Sequence, residues 1–427
     1  MFLHVLPSLK LRGTVPLPAS KSYSIRAFFV AACGGRSRIL GASDCDDARV
    51  AMKAARAFGA AVTPVPGGVR VDMPVSRKIK AKLVLDAGES GTSLRFLLPL
   101  LPHYAATAMV KGRGTLVGRP NHHLCAALRA GGLMIRGAGA NESVPISFSG
   151  GVMAPGRVSV DGSLSSQFIS ALMIAAPLGG RETRLVMAGK ELVSRDYVTM
   201  TRQVLARAGI RVEPQGRREF LIPGGQVFRG LGSFRVPSDY GLAAYFMAAA
   251  ALVPSDILLK GCFDDGLIQS DGAILGFFDR MGLRMSRAAR GIRIKGPQVL
   301  RGGVFSLKDC PDLLPVMAVT AMFAEGETRF TDIAHARVKE SDRISDLRAE
   351  LLKTGADIRE KADELIVRPC PAYRQGVVLD PHHDHRLAMA FAVLGLKVGA
   401  RVKDIGCTSK SYPGFVKALR NLGSSGS

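Results

Sequence analysis

At 427 residues, 47% hydrophobic and 22% charged, the chain can hold two or three domains with large cores and is too apolar to be disordered. A net charge of +23 invites an anionic partner, but aromatics at 6%, no tryptophan and no basic stripe argue against nucleic acid. Seven cysteines, never spaced CxxC, point to free thiols in a reducing cytoplasm rather than to disulfides or structural zinc.

The first residues, MFLHVLPSLKLRG, lack a basic leader and a cleavage site, so no signal peptide is expected. No apolar run is long enough to span a bilayer without polar residues, glycine or proline. Residues 1–12 read as one edge-like strand. KSYSIRAFFVAA follows from Lys21, punctuated by Pro18 before it and Gly34-Gly35 after it. That is a short helix with a cationic, hydroxyl-rich head and an apolar body. A helix N-terminus carries free N–H groups and positive potential, so such a head suits an anion.

The segment recurs at Ser90 (SGTSLRFLLPLL), Ser165 (SSQFISALMIAAPL), Ser238 (SDYGLAAYFMAAAAL), Pro311 (PDLLPVMAVTAMFA) and Asp384 (DHRLAMAFAVLGL). The steps are 69, 75, 73, 73 and 73 residues. A second series, of helix-like runs ending in glycine before an extended run, falls at Gly59, Gly132, Gly209, Gly282, Gly355 and Gly423. Two interleaved series at one spacing define a six-fold internal repeat. Extended runs such as Val62–Val71, Ile210–Ile222 and Leu283–Ile294 give each repeat several strands beside its two helices, an α/β unit. Met247–Leu252 and Val316–Phe323 contain no charge, so these helices should be enclosed, three inside each of two domains. Glycine-rich Phe228–Val236 is the best boundary. The division expected is residues 15–233 as one domain, and residues 1–14 with 234–427 as the other, which the N-terminal strand joins.

The helix heads carry Lys21, Ser22, Arg26, Thr92, Arg95, Ser165, Ser166, Gln167, Asp239, Asp312, Asp384, His385 and Arg386. A serine or aspartate there is more often a cap than a ligand. Arg26, Arg95 and Arg386 sit two to five positions into apolar helices, where an unpaired cation is costly and a carboxylate or phosphate partner is welcome. ARVKESDRISDL, from Ala336, packs five charges into seven residues and reads equally well as a solvated helix start or as chemistry. HHDHR at His382–Arg386 is too local to suggest a metal site.

These motifs identify a family. ASKSYSIRA, SGTSLR, GRP at Gly118–Pro120, GSLSSQFISAL, SRDY, PDLLP, RVKESDRI, DHRLAMA and SKSYPGF, in this order from Leu17 to about Leu419, resemble the 5-enolpyruvylshikimate-3-phosphate (EPSP) synthases. The resemblance implies a two-domain inverse α/β barrel of six βαβαββ-type repeats, three per domain, around central parallel helices. It implies transfer of the enolpyruvyl group of phosphoenolpyruvate to shikimate 3-phosphate by a cytoplasmic monomer. No metal or organic cofactor, nucleic acid or membrane partner is implied.

Residue by residue, it assigns Lys21, Ser22, Arg26, Ser165, Ser166, Gln167, Ser194, Tyr197, Asp312, His335 and Lys339 to shikimate 3-phosphate. Lys21, Gly91, Arg95, Arg119, Gln167, Arg343, Arg386 and Lys410 are assigned to phosphoenolpyruvate, whose place glyphosate would take. Lys21, Asp312, Glu340 and His385 form the implied catalytic set. Two positions depart from the pattern: Glu89-Ser90 stands where Asn-Ala is common, and His335 where asparagine is common. Both substrates are multiply anionic, so cations from the two domains should make closure ligand-dependent. Two alternatives stay open. A UDP-N-acetylglucosamine enolpyruvyl transferase would have a lysine-asparagine head and usually a loop cysteine. A non-catalytic nucleic-acid-binding repeat protein would explain the charge alone.

Overall fold

The computed structural model describes residues 1–423 except 9, 75, 77, 190–192, 265, 289 and 290. They form two compact units, residues 19–236, and residues 1–18 with 237 onward.

The unit of residues 19–236 contains α1 (Lys21–Ala31), α2 (Asp46–Phe58), α3 (Gly91–Leu100), α4 (His122–Ala130), α5 (Ser166–Ala175) and α6 (Arg195–Arg207). Its second repeat shows the plan. Lys80–Asp86 leads through α3 to the parallel strand Ala105–Lys111, and α4 then leads to the hairpin Met134–Ala138 and Ser143–Gly150. The last strand pairs antiparallel with Ala105–Lys111, so one repeat makes one four-stranded sheet. The third repeat follows the same order with Gly156–Asp161, Thr183–Ala188, Glu213–Gln215 and Glu219–Ile222. In the first repeat the opening strand comes from far along the chain, as Gly232–Arg235 runs parallel to Gly35–Leu40. The stretch expected as a boundary thus contributes a strand to this unit.

The other unit contains α7 (Tyr240–Leu252), α8 (Ala273–Arg280), α9 (Leu314–Ala321), α10 (Ser345–Leu352), α11 (His385–Val398) and α12 (Phe415–Arg420). Residues 1–12 do not form one strand. Pro7 supplies no N–H donor and interrupts the ladder. Phe2–Val5 pairs with Ala400–Lys403, and Leu11–Pro16 pairs with Ser255–Lys260 in a different sheet. Both are edge strands, and both belong to this unit. The run expected over Leu283–Ile294 is a hairpin of Met285–Ala288 and Gly291–Gly296, with residues 289 and 290 outside the described residues.

The glycine series has a backbone cause. Gly59, Gly132, Gly209, Gly282, Gly355 and Gly423 all have φ between 81° and 107°, the left-handed region that ends a helix and that a β-carbon disfavours. The polar heads also have a local cause. Side chains of Ser20, Ser90, Ser165, Asp239 and Asp384 accept hydrogen bonds from the backbone N–H of the second or third residue of α1, α3, α5, α7 and α11. The sixth head differs. Pro311–Leu313 is a 3₁₀ turn and α9 starts only at Leu314, because Pro315 has no N–H to close a bond onto residue 311. Every residue of α9 and all of α7 after Tyr240 are buried. Removing one large side chain from such a core, Phe246 for example, would cost about 3–5 kcal/mol.

Candidate active site

In the unit of residues 19–236, the heads of α1, α3 and α5 hold three polar clusters. Lys21 Nζ lies 3.0 Å from Asp47 Oδ2, at the first turn of α2. Arg26 is 1% exposed and donates to Thr201 Oγ1 at 2.9 Å, to the Ser22 carbonyl at 3.0 Å and to the Tyr197 carbonyl at 3.0 Å. Its guanidinium also lies over the rings of Phe96 and Tyr197. Burial with neutral acceptors pulls this group down to about 10.

Arg95 makes the third cluster. It donates to Gln167 Oε1 at 2.6 Å, Ser165 Oγ at 3.4 Å, Asn121 Oδ1 at 3.3 Å and the Pro120 carbonyl at 3.1 Å. Gln167 in turn donates to Thr92 Oγ1 at 3.0 Å, which ties the head of α5 to that of α3. Ser165 accepts as a helix cap and from Arg95, which leaves its hydroxyl proton to give. Ser166 is buried beside it in the first turn. Ser194, at the head of α6, holds φ of 57° although it is not glycine. Such strain costs on the order of 1–3 kcal/mol and gathers where a ligand is held. A β-carbon at Gly91 would stand 3.0 Å from Arg119 Nη1, so this helix start and that guanidinium are adjacent.

The other unit is built around Arg343, which is 1% exposed. Its Nη1 meets Asp312 Oδ1 at 2.6 Å, its Nη2 meets Glu340 Oε2 at 2.7 Å and its Nε meets Asp384 Oδ2 at 2.7 Å. Asp312 also takes Arg386 Nη2 at 2.7 Å, and Glu340 Oε1 lies 3.6 Å from Lys410 Nζ. Burial would raise the Asp312 carboxyl, yet Arg386, Arg343 and Lys339 hold it well below the usual carboxylate range. Burial alone would lower Arg343, and its three carboxylates raise it instead. His335, on the turn Ala334–Val338, is 7% exposed, and burial beside Lys339 pushes its imidazole down to about 3. His385 is enclosed at the first turn of α11, its Nδ1 3.8 Å from Asp384 Oδ1.

ARVKESDRISDL divides between its two readings. Arg337 pairs with Asp342 at 3.1 Å and Glu360 at 2.7 Å, a local brace, while Glu340 and Arg343 turn into the network. In HHDHR, His382 faces Glu350 and His383 faces Asp404. Among the described residues no group of three or more His, Cys, Asp or Glu side chains is placed to hold a metal ion. None of the described helices is long and apolar enough to cross a membrane.

A family model described as EPSP synthase (3-phosphoshikimate 1-carboxyvinyltransferase) matches residues 5–419. The chain belongs to the EPSP synthase family. It is 32% identical over 426 residues to a 3-phosphoshikimate 1-carboxyvinyltransferase of Methanoculleus marisnigri, covering 99% of this chain and 100% of the relative. It is 35% identical over 430 residues to that of Methanothermobacter thermautotrophicus, covering 99% of each. A solved EPSP synthase from Acinetobacter baumannii superposes with a TM-score of 0.80 at 25% identity, covering 100% of this chain and 99% of that one. The enolpyruvyl transferase NikO from Streptomyces tendae shares the fold, with a TM-score of 0.76 at 20% identity and coverage of 100% and 98%.

In this EPSP synthase family member, then, Asp312, Glu340, Arg343, Arg386 and Lys410 come together in one network, with Lys339 and His335 beside it. Ser165, Gln167 and Arg95 form one cluster, Ser22, Arg26 and Tyr197 another, and Lys21 pairs with Asp47. Sequence reasoning gave no role to Asp47, Asn121, Thr201 or Asp271. Asp384 was read only as a helix head, although it binds both its helix and Arg343. A buried arginine in the sequence signals that partners exist, not which ones.

Proposed function

We propose that this chain transfers the enolpyruvyl group of phosphoenolpyruvate to the 5-hydroxyl of shikimate 3-phosphate, releasing phosphate, in aromatic amino-acid biosynthesis. The observation that carries the reading, beside family membership, is the bridging of Asp312 and Glu340 by one enclosed guanidinium, at 2.6 and 2.7 Å. Addition requires a proton on the methylene carbon of phosphoenolpyruvate while the hydroxyl oxygen bonds to C2 and gives up its own proton to a base. Elimination then takes a proton from the new methyl group as phosphate leaves, restoring the carbon–carbon double bond, now as an enol ether. An acid–base pair must therefore stay in place through both steps.

Asp312, held ionised by two arginines, is a weak base and suits orienting the hydroxyl by accepting its hydrogen bond. Glu340, with one oxygen on Arg343 and the other near Lys410, is our choice for proton transfer, with Lys21 the second carrier. His385, enclosed beside Asp384 at the first turn of α11, is a further candidate. Arg343, Arg386 and Lys410, with Gly91, Arg95, Arg119 and Gln167, are assigned to phosphoenolpyruvate. Ser165, Ser166 and Ser194 are assigned to the phosphate of shikimate 3-phosphate, Ser22 and Arg26 to its carboxylate end, and Tyr197, His335 and Lys339 to the rest.

We read the protein as a cytoplasmic monomer that needs no metal or organic cofactor and takes neither nucleic acid nor membrane as partner. All seven cysteines are free thiols, in keeping with a reducing compartment. The deciding experiment is phosphate release from phosphoenolpyruvate, with shikimate 3-phosphate and UDP-N-acetylglucosamine as competing acceptors. Release with the first alone is expected; release with the second alone would replace this reading. Glu340→Ala should lower turnover by about 10²–10⁴-fold, and Michaelis constants raised at near-normal turnover would remove Glu340 from proton transfer.

A further inference from the structure

Asp271 takes no part in the assignments above. It lies on the turn Ser270–Gly272 before α8, its side chain 8% exposed. Its Oδ2 is 3.6 Å from Arg386 Nη2, the same nitrogen that Asp312 holds at 2.7 Å. Its Oδ1 has no hydrogen-bond partner among the described residues. The pair is seated on the first turn of α7. A β-carbon on Gly241 would stand 2.2 Å from Asp271 Oδ2 and 3.0 Å from Arg386 Nη1, so glycine there leaves the room this ion pair occupies.

The charged groups facing Asp271 are Arg386 of α11, Asp312 of the turn before α9, Asp239 at the head of α7 and Arg343 before α10. An enclosed carboxylate with one bare oxygen, two acidic neighbours and a shared arginine stands close to the balance of its charged and neutral forms. Burial, aided by Asp312 and Asp239 and opposed by Arg386, pushes its carboxyl up to about 7.

We propose that Asp271 is a positioning residue for Arg386, a proton-dependent counter-charge that sets how much of the guanidinium's charge is left for a bound anion. The proposal rests on the reading of Arg386 as a phosphoenolpyruvate ligand. Ionised, Asp271 competes with the anion for Arg386. Protonated, it keeps its shape and leaves Arg386 to Asp312 and the anion. By reciprocity, an anion bound at Arg386 draws a proton onto Asp271.

Inorganic sulfate, a dianion at pH 6 and at pH 8.5 alike, tests this by calorimetry on the full chain. Wild type should bind it about tenfold more weakly at pH 8.5, a modest change for charges a few ångströms apart. Asp271→Asn should stay tight at both values, and Arg386→Gln should lose the pH-dependent part. In turnover, the ratio of the Asp271→Asn to the wild-type KM for phosphoenolpyruvate should fall over the same interval, the change landing on KM rather than kcat. Titration of the substrate itself cancels in that ratio. Asp271→Asn following the wild-type pH dependence, or no sulfate binding at either pH, overturns the proposal. Wild type that binds sulfate as described yet releases no phosphate from phosphoenolpyruvate sinks the functional reading and leaves the Asp271–Arg386 coupling standing.

Discussion

The two units solve the problem of a buried arginine in opposite ways. In the unit of residues 19–236, the partners described for Arg26 and Arg95 are hydroxyls, amides and carbonyls. In the other unit, Arg343 and Arg386 are held by Asp312, Glu340, Asp384 and Asp271. Neutral acceptors satisfy a guanidinium's N–H groups without cancelling its charge, so the charge stays available to an anion. Carboxylates offset it, so beside its pull on an anion such an arginine also fixes where acids stand and how strongly they hold protons. The first arrangement suits binding, and the second couples binding to proton transfer.

The largest effect that would break this contrast is on stability. Arg343→Met leaves three carboxylates facing one another in an enclosed space, and should cost roughly 3–5 kcal/mol in urea unfolding, with turnover lost. Arg26→Met leaves only neutral acceptors unmet and removes a buried charge, so it should cost about 1–3 kcal/mol at most, with shikimate 3-phosphate binding weakened instead. Equal losses for the two variants would mean that the partner type has no energetic consequence.

A smaller effect separates charge that is tolerated from charge that is refused. His335 lies near Lys339, and its Nε2 has no hydrogen-bond partner among the described residues. The unfolded chain takes up this proton near pH 6.5, the folded chain only near 3. The folded state therefore binds fewer protons in that window, and stability is full above about pH 6.5 and falls as pH drops toward 3, by up to about 1.4 kcal/mol per unit. His335→Asn should flatten the slope between pH 4.5 and 6.5 relative to wild type. Parallel slopes in the two proteins would show that His335 protonates freely in the folded state.

Much of this was legible in the sequence, for reasons that differ by level. The six-fold period survives because every repeat has a left-handed glycine and five of the six have a side-chain-capped head, and both devices are written in single residues. Residues 1–12 misled because their two halves join different sheets, which is a fact about distant strands at Ala400–Lys403 and Ser255–Lys260. The partners of the arginines were hidden for the same reason. Arg26 meets Thr201, 175 positions on, and Arg343 meets Asp384, 41 positions on, and no periodicity records such pairs. The motif residues carried the assignment of roles; the kind of partner each cation has came only from the fold.

The finest test of the anion-binding half is at Gly91. It begins α3, where backbone N–H groups face whatever the head binds, and Arg119 crowds the place a methyl group would take. At 3.0 to 3.2 Å from three guanidinium atoms, the methyl of Gly91→Ala would move Arg119 by a few tenths of an ångström rather than disrupt the helix. Glu89, the departure from the family pattern, is engaged elsewhere: its carboxylate accepts from the N–H and the hydroxyl of Thr115, at 3.2 and 2.9 Å. Those bonds fix the carboxylate on Thr115 without cancelling its charge; it is glycine at position 91, open to the inhibitor, that leads us to expect a glyphosate-sensitive wild-type chain. A ligand longer than phosphoenolpyruvate should suffer more from the added methyl and the displaced Arg119. A difference of about 1.4 kcal/mol is tenfold in selectivity. The measurement is the glyphosate inhibition constant divided by the KM for phosphoenolpyruvate, in wild type and in Gly91→Ala. A tenfold rise in that ratio is expected. An unchanged ratio would place the anion away from α3 and leave Arg119 without its assigned role.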